Sequence, residues 1–113
     1  MSILTLPFLN FKQRKKLIKI IYKSLNKGGG FIFVDKIRSS NSAFEDIFNQ
    51  VYFDFKLQKQ LNPAQILNKS KLLRSSMNLL SANEINSQLN EIGFKKNDVF
   101  FKWFNFIGII AIK

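Results

Sequence analysis

Between residues 11 and 27 the apolar side chains Phe11, Leu17, Ile18, Ile21, Tyr22 and Leu25 gather on one side at helical spacing, and Lys12, Lys15, Lys16, Lys19 and Lys23 fall on the other. That period predicts an amphipathic helix with a basic solvent face. Three glycines, Gly28 to Gly30, come next, and Gly28 is expected to take the left-handed conformation that closes a helix, its neighbours turning the chain into a strand. Residues 31–37, FIFVDKI, are nearly continuous in apolar β-formers and predict a buried strand. A phosphate-cradling loop would run from strand through glycines into a helix and end in Gly-Lys-Ser/Thr. Here the order is reversed and that ending is absent.

Downstream, Phe44, Ile47, Phe48, Val51, Tyr52 and Phe55 recur at intervals of three and four, with Glu45 and Asp46 early and Lys56 and Lys59 late, as a second helix requires. Asn62-Pro63 supplies a cap and a first-turn proline for a third helix carrying Ile66, Leu67, Leu73, Met77 and Leu80. Ser81-Ala82-Asn83-Glu84 matches a capping box, so a fourth helix is expected to about Ile92, stopping at Gly93. The tail, DVFFKWFNFIGIIAIK, reads as two apolar strands with a break near Asn105, a hairpin able to join the first strand. The predicted order is helix, strand, three helices, strand, strand: an α/β domain with three strands and about four helices.

Composition narrows the chemistry more than it names it. A chain of 113 residues is one small domain or part of a larger one, burying very roughly 65% of its unfolded surface. It has no cysteine and no histidine, which removes disulfides, thiolate and imidazole metal sites and histidine-based triads. Eighteen basic against seven acidic residues give a net charge of +11. Such an excess suits an anionic partner such as RNA or an acidic membrane surface. It also fits a chain rich throughout in Lys, Asn, Ile and Phe, as an AT-rich coding sequence produces. No apolar stretch approaches the ~20 residues that span a bilayer, and Met1-Ser2-Ile3 lacks the charged opening of a signal peptide. A soluble, cytoplasmic protein is expected.

Four segments, TLPFL from Thr5, LNKGGGFIFVDK from Leu25, DFK from Asp54 and FNFIGIIAIK from Phe104, stand at spacings that resemble the C-terminal half of the carboxy-S-adenosyl-L-methionine synthases. The resemblance runs without gaps from about Thr5 to Lys113. The family's Thr-Leu-Gln-Phe-Leu corresponds to Thr5–Leu9, its Leu-Asn-Pro-Gly-Gly to Leu25–Gly29 and its Ser-Glu-Lys to Val34–Lys36. Its His-His-Asp-Phe-Lys corresponds to Tyr52–Lys56, and its Trp-Phe-Gln-Cys-Phe-Asn-Phe to Phe100–Phe106. No single block is specific; several in order, without a shift, are.

This resemblance implies the C-terminal half of a Rossmann-like class I methyltransferase fold, with an incomplete sheet and a helical insertion at about residues 40–92. It implies conversion of S-adenosylmethionine and prephenate into carboxy-S-adenosylmethionine, the carboxymethyl donor for tRNA wobble uridine 34. The glycine loop and the acidic residue that hold S-adenosylmethionine in that fold belong to the other half, so this chain alone is expected to bind no cofactor and to be a truncated, inactive remnant. A basic RNA- or membrane-surface-binding module, or one half of a split enzyme, are the alternatives. As partners the resemblance leaves open a homodimer or a separately encoded N-terminal half; neither direct nucleic-acid contact nor a membrane is expected. Two family ligand residues fall inside the chain: an asparagine aligns with Ile3, and a carboxylate-binding arginine aligns with Ser70. Serine lacks the guanidinium fork that pairs a carboxylate. Arg74, one turn later on the expected helix, is the candidate substitute, and an exposed arginine on a basic helix is the competing reading. Lys36 and Asp54 match family positions where pairing or capping competes with catalysis.

Overall fold

The computed structural model describes residues 1–3, 5–39, 41–59, 62–68 and 77–113. Its elements in chain order are β1 (Ser2–Ile3), a 3-10 turn (Leu6–Phe8), α1 (Phe11–Ser24), β2 (Gly30–Lys36), α2 (Ser42–Gln58), α3 (helical over 63–68), α4 (Ala82–Ile92), β3 (Lys96–Trp103) and β4 (Phe106–Ile112). They form one sheet in the order β1-β2-β4-β3. β1 runs parallel to β2, and β4 pairs antiparallel with β2 on one side and β3 on the other.

The three expected strands and their order are present, and a fourth, two-residue strand joins them. Ser2 and Ile3 pair with Phe33 and Val34, so one edge of β2 is covered over its middle. Two residues are too short to carry a readable alternation, which is why the sequence pattern did not announce β1.

The core lies on one face of the sheet. Phe31 and Phe33 from β2, with Ile107, Ile109 and Ala111 from β4, pack against Ile18 of α1 and Ile85 and Leu89 of α4, all buried. Each Phe, Ile and Leu among them contributes about 1.5–3 kcal/mol. On β2 burial alternates: Phe31, Phe33 and Asp35 are buried, whereas Ile32 is 37% exposed. The apolar run is therefore a strand with two apolar faces, of which α1 and α4 cover one.

Local chemistry explains most element ends. Asn10 caps α1: its side chain accepts from the Gln13 N–H at 2.8 Å, and the Gln13 side chain accepts from the Asn10 N–H at 3.1 Å. Ser81 and Glu84 form the expected box at α4, which ends at Gly93. The Gly28 expectation needs correction. α1 stops at Ser24 with Leu25 extended, and the Lys113 ammonium donates to the Tyr22 and Leu25 carbonyls at 3.0 and 2.9 Å, satisfying that end. Gly28, with φ 85°, instead sits in a turn closed by the Gly29 N–H on the Asn26 carbonyl at 2.8 Å. There the third turn residue needs a positive φ.

The third helix is also corrected. It is helical over 63–68, but Met77 to Leu80 are irregular. The Asn78 N–H donates to the Pro7 carbonyl at 2.7 Å and the Leu80 carbonyl accepts from the Arg38 N–H at 3.0 Å, so long-range bonds replace helical ones. Leu73 lies outside the described residues.

One polar contact crosses this core. Arg14 of α1, 1% exposed, donates to Asp35 Oδ2 of β2 at 2.5 Å and to Gln88 Oε1 of α4 at 3.2 Å. Asp35 Oδ1 is buried without a hydrogen-bond partner among the described residues. Burial pushes the Asp35 carboxyl above its ordinary value, against the opposing pull of the Arg14 guanidinium. Removing either partner strands the other in the core, at a cost of about 3–5 kcal/mol. Urea unfolding should show that loss in Arg14→Met and in Asp35→Leu, with most of it recovered in the double variant. A loss under ~1 kcal/mol in either single variant would show that the pair does not anchor the core.

Candidate functional site

Ligands of open α/β sheets lie beyond the carboxyl ends of the parallel strands. In this chain those ends are Ile3 of β1 and Lys36 of β2. Ile3 is 57% exposed, and its side chain offers no hydrogen bond where the resembling family has asparagine. Lys36 extends over two rings, its ammonium 5.9 Å from the Tyr52 centroid and 5.8 Å from that of Phe106. The Lys56 ammonium lies 4.1 Å from the same Tyr52 ring. Burial raises the Tyr52 hydroxyl pKa. Tyr52 also meets Trp103 edge-on, so α2 is held to the β3–β4 hairpin by aromatic contacts at this end of the sheet.

Past Lys36 the chain is fixed by three backbone donors. The Ile37 N–H reaches the Asn105 carbonyl at 2.7 Å, the Arg38 N–H the Leu80 carbonyl at 3.0 Å, and the Ser39 N–H Glu45 Oε2 at 2.5 Å. These bonds bring the end of β2, the start of α4 and the hairpin tip around a cleft of about 120 Å³ lined by Arg38, Ser81, Asn83, Lys102, Phe104 and Asn105 among others. Arg38, on its wall, pairs with Glu84 of α4. Asn105 is 4% exposed; its amide donates to Asn49 Oδ1 at 2.9 Å, and its own Oδ1 has no partner among the described residues. Phe104 holds a positive φ of 51° in the two-residue turn, a conformation that side chains of its size rarely adopt.

The cleft is basic and polar, but well below the ~300 Å³ at which small-molecule pockets begin. It can seat a carboxylate-sized group, not a nucleoside. Among the described residues no group of acids could hold a metal ion. A wider groove between α1 and α4, bordered by the Lys15–Glu91 pair at 3.9 Å, opens on the helical side of the sheet.

The expected carboxylate position Ser70 and its candidate substitute Arg74 lie outside the described residues. Asp54 accepts from Gln50 Nε2, one turn earlier on α2, at 3.0 Å. The residues that sequence reasoning passed over are Arg14, Asn105 and Tyr52. For Arg14 a signal existed: it stands four residues before Ile18, on the apolar side of α1, where a buried guanidinium needs an acid.

The sheet order, with α1 and α4 on one face and a hairpin closing one edge, defines a partial α/β fold of the methyltransferase-like class. No family model matches the chain. Among curated proteins it is 44% identical over 112 residues to a carboxy-S-adenosyl-L-methionine synthase of Staphylococcus epidermidis, covering 99% of this chain and 49% of that protein. Enzymes of the same name from Methylococcus capsulatus and Nautilia profundicola are each 33% identical, over 100% and 96% of this chain and 47% of each relative. The chain belongs to the carboxy-S-adenosyl-L-methionine synthase family, corresponding to a C-terminal part of its members. It spans about half the length of the curated relatives it matches.

The α4 cap at the cleft titrates. The Ser81 backbone N–H and hydroxyl, followed by the Arg38 guanidinium, hold the Glu84 carboxyl below its ordinary value. A lowered folded-state value means that the stabilisation is complete above the ordinary value and fades as pH falls through the lowered one. Protection factors of the first α4 amides, corrected for intrinsic exchange, should fall across that acid window and become pH-independent in Glu84→Gln. An identical pH response in the variant would remove Glu84 from the cap.

Proposed function

We propose that this chain contributes the C-terminal half of a carboxy-S-adenosyl-L-methionine synthase, forming carboxy-S-adenosylmethionine from S-adenosylmethionine and prephenate for tRNA wobble uridine 34 modification in the cytoplasm. The observation that carries the reading is similarity along the whole chain to the C-terminal part of enzymes bearing that name. In this reading the chain is inactive alone. Its described residues do not fit S-adenosylmethionine: Ile3 presents no polar atom, Asp35 is consumed by Arg14, and the cleft at the strand ends is carboxylate-sized. The carboxylate of the product would be met near Ser70, with Arg74 in place of the arginine that the family resemblance puts there.

Calorimetric titration of the chain with S-adenosylmethionine should give no saturable binding in the micromolar range. Mixed with the N-terminal half of the Staphylococcus epidermidis relative, it should yield carboxy-S-adenosylmethionine detectable by mass spectrometry, with more product from Ser70→Arg and less from Arg74→Ala. Tight binding or turnover by the chain alone would overturn the half-enzyme reading. Equal product from all three versions would remove both positions from the carboxylate site.

A further inference from the structure

Charge is segregated among the helices. α1 carries six cations and no acid, α4 two acids and no cation, and α2 three acids against one lysine. A lysine-rich composition by itself spreads its charge; this chain gathers it on one element. At about 100° per residue, Lys12, Lys16, Lys19 and Lys23 fall within roughly 60° of arc on the side away from the core, and they span about 16.5 Å of the helix. All four are exposed, and none has an ion-pair partner among the described residues. Glu84 and Glu91, which border the α1–α4 groove with Lys12, are engaged by Arg38 and Lys15. Like charges three and four residues apart destabilise a helix, and cations in its first turn face the positive end of the dipole. The stripe therefore works against α1 in isolation, and a bound polyanion relieves it.

The stripe continues past the helix. The Gly28 N–H donates to the Lys113 carbonyl at 3.1 Å and the Lys95 N–H to the Ile112 carbonyl at 3.2 Å, so the turn after α1 and the start of β3 meet at the end of β4. The Lys113 ammonium on the Tyr22 and Leu25 carbonyls ties the same place to the end of α1. Exposed Lys27, Lys95 and Lys96 are thereby gathered beyond Lys23. Asp98, further along β3, accepts from the Val99 N–H at 2.8 Å.

We propose that the lysine ridge of α1, continued by Lys27, Lys95 and Lys96, docks a double-stranded RNA stem through its phosphates. The choice of RNA rests on the proposed function, whose product is destined for a tRNA. Single strands bind by stacking their bases on exposed rings, and the ridge offers none: Tyr22, between Lys19 and Lys23, meets Phe94 edge-on at 5.1 Å. A stem keeps its bases inside and is held by contacts to its backbone. The expectation of no direct nucleic-acid contact gives way to this placement of charge. A helix that binds a membrane surface inserts its apolar face, whereas that of α1 is spent on the core, with Ile18 buried and Leu17, Ile21 and Leu25 packed against the same cluster.

A labelled RNA hairpin would be titrated with the full chain and followed by fluorescence anisotropy over a series of salt concentrations. Binding should weaken steeply with salt. Lys16→Gln, Lys19→Gln and Lys23→Gln combined should lower the affinity at least about tenfold and flatten the slope of log K against log salt by roughly 2–3, about one unit for each phosphate contact. These substitutions remove like charges from an exposed helix face, so the far-ultraviolet circular dichroism stays as it was. Lys19→Gln alone should show part of the loss, whereas Lys59→Gln at the end of α2, an identical change of net charge, leaves binding unaltered. Failure to bind the hairpin, as large a loss from Lys59→Gln as from Lys19→Gln, equal affinity for single-stranded oligouridine or for a DNA duplex of the same sequence, or preference for phosphatidylserine vesicles would each overturn the inference. Hairpin binding through these lysines, without product when the N-terminal half of the Staphylococcus epidermidis relative is added, would leave the ridge standing and remove the proposed function. Product without hairpin binding would do the reverse.

Discussion

Arg14 and Asp35 meet inside a core that otherwise consists of aliphatic and aromatic side chains, and the placement of three elements depends on that meeting. The guanidinium leaves α1, reaches the carboxylate on β2 and turns its remaining edge to Gln88 on α4. Hydrophobic packing alone tolerates small slides of a helix over a sheet; a charge pair with both members buried does not, because any displacement uncovers a charge in a medium that cannot solvate it. The pair thereby sets the register of α1 and α4 against β2, and with it the position of the β2 carboxyl end.

From that end the polar framework follows. Once β2 is placed, the backbone N–H groups of Ile37, Arg38 and Ser39 are committed to acceptors on the hairpin, the 77–80 segment and α2. The start of α4 arrives beside Arg38, where Ser81 and Glu84 close the helix and the ion pair at once. The small basic cleft is the geometric result of these commitments. Its small size agrees with a chain that holds part of a larger site.

The asymmetry of the sheet is the second constraint. A strand as apolar as FIFVDKI is built for cover on both sides, and α1 and α4 supply one. Apolar surface on the other face is costly in water in proportion to its area, and the parallel edge at β1 lies beside it. Both features are what a domain shows when its sheet continues into another segment of polypeptide.

Much of this was legible in the residues themselves. Period and caps placed α1, α2 and α4, the break at Asn105 placed the hairpin, and ordered blocks such as Val34-Asp35-Lys36 indicated the family, because helix periodicity, capping and short motifs are encoded within a few neighbouring positions. What failed were features decided by distant partners. Gly28 was expected to close α1, but the ammonium of Lys113, 91 residues from Tyr22, satisfies that helix end. Residues 77–80 were expected to be helical, but Pro7 and Arg38 recruit their backbone groups. Of the candidate site, Lys36 at the end of FIFVDKI was marked in advance as a family position, whereas the burial of Asn105, the Arg38–Glu84 contact and the Lys36–Tyr52–Lys56 stack could not be read. Such contacts join residues far apart in the chain, and only the packed sheet, by excluding water around Arg14 and Asp35 and leaving Ile32 open to it, decides which polar groups must find each other.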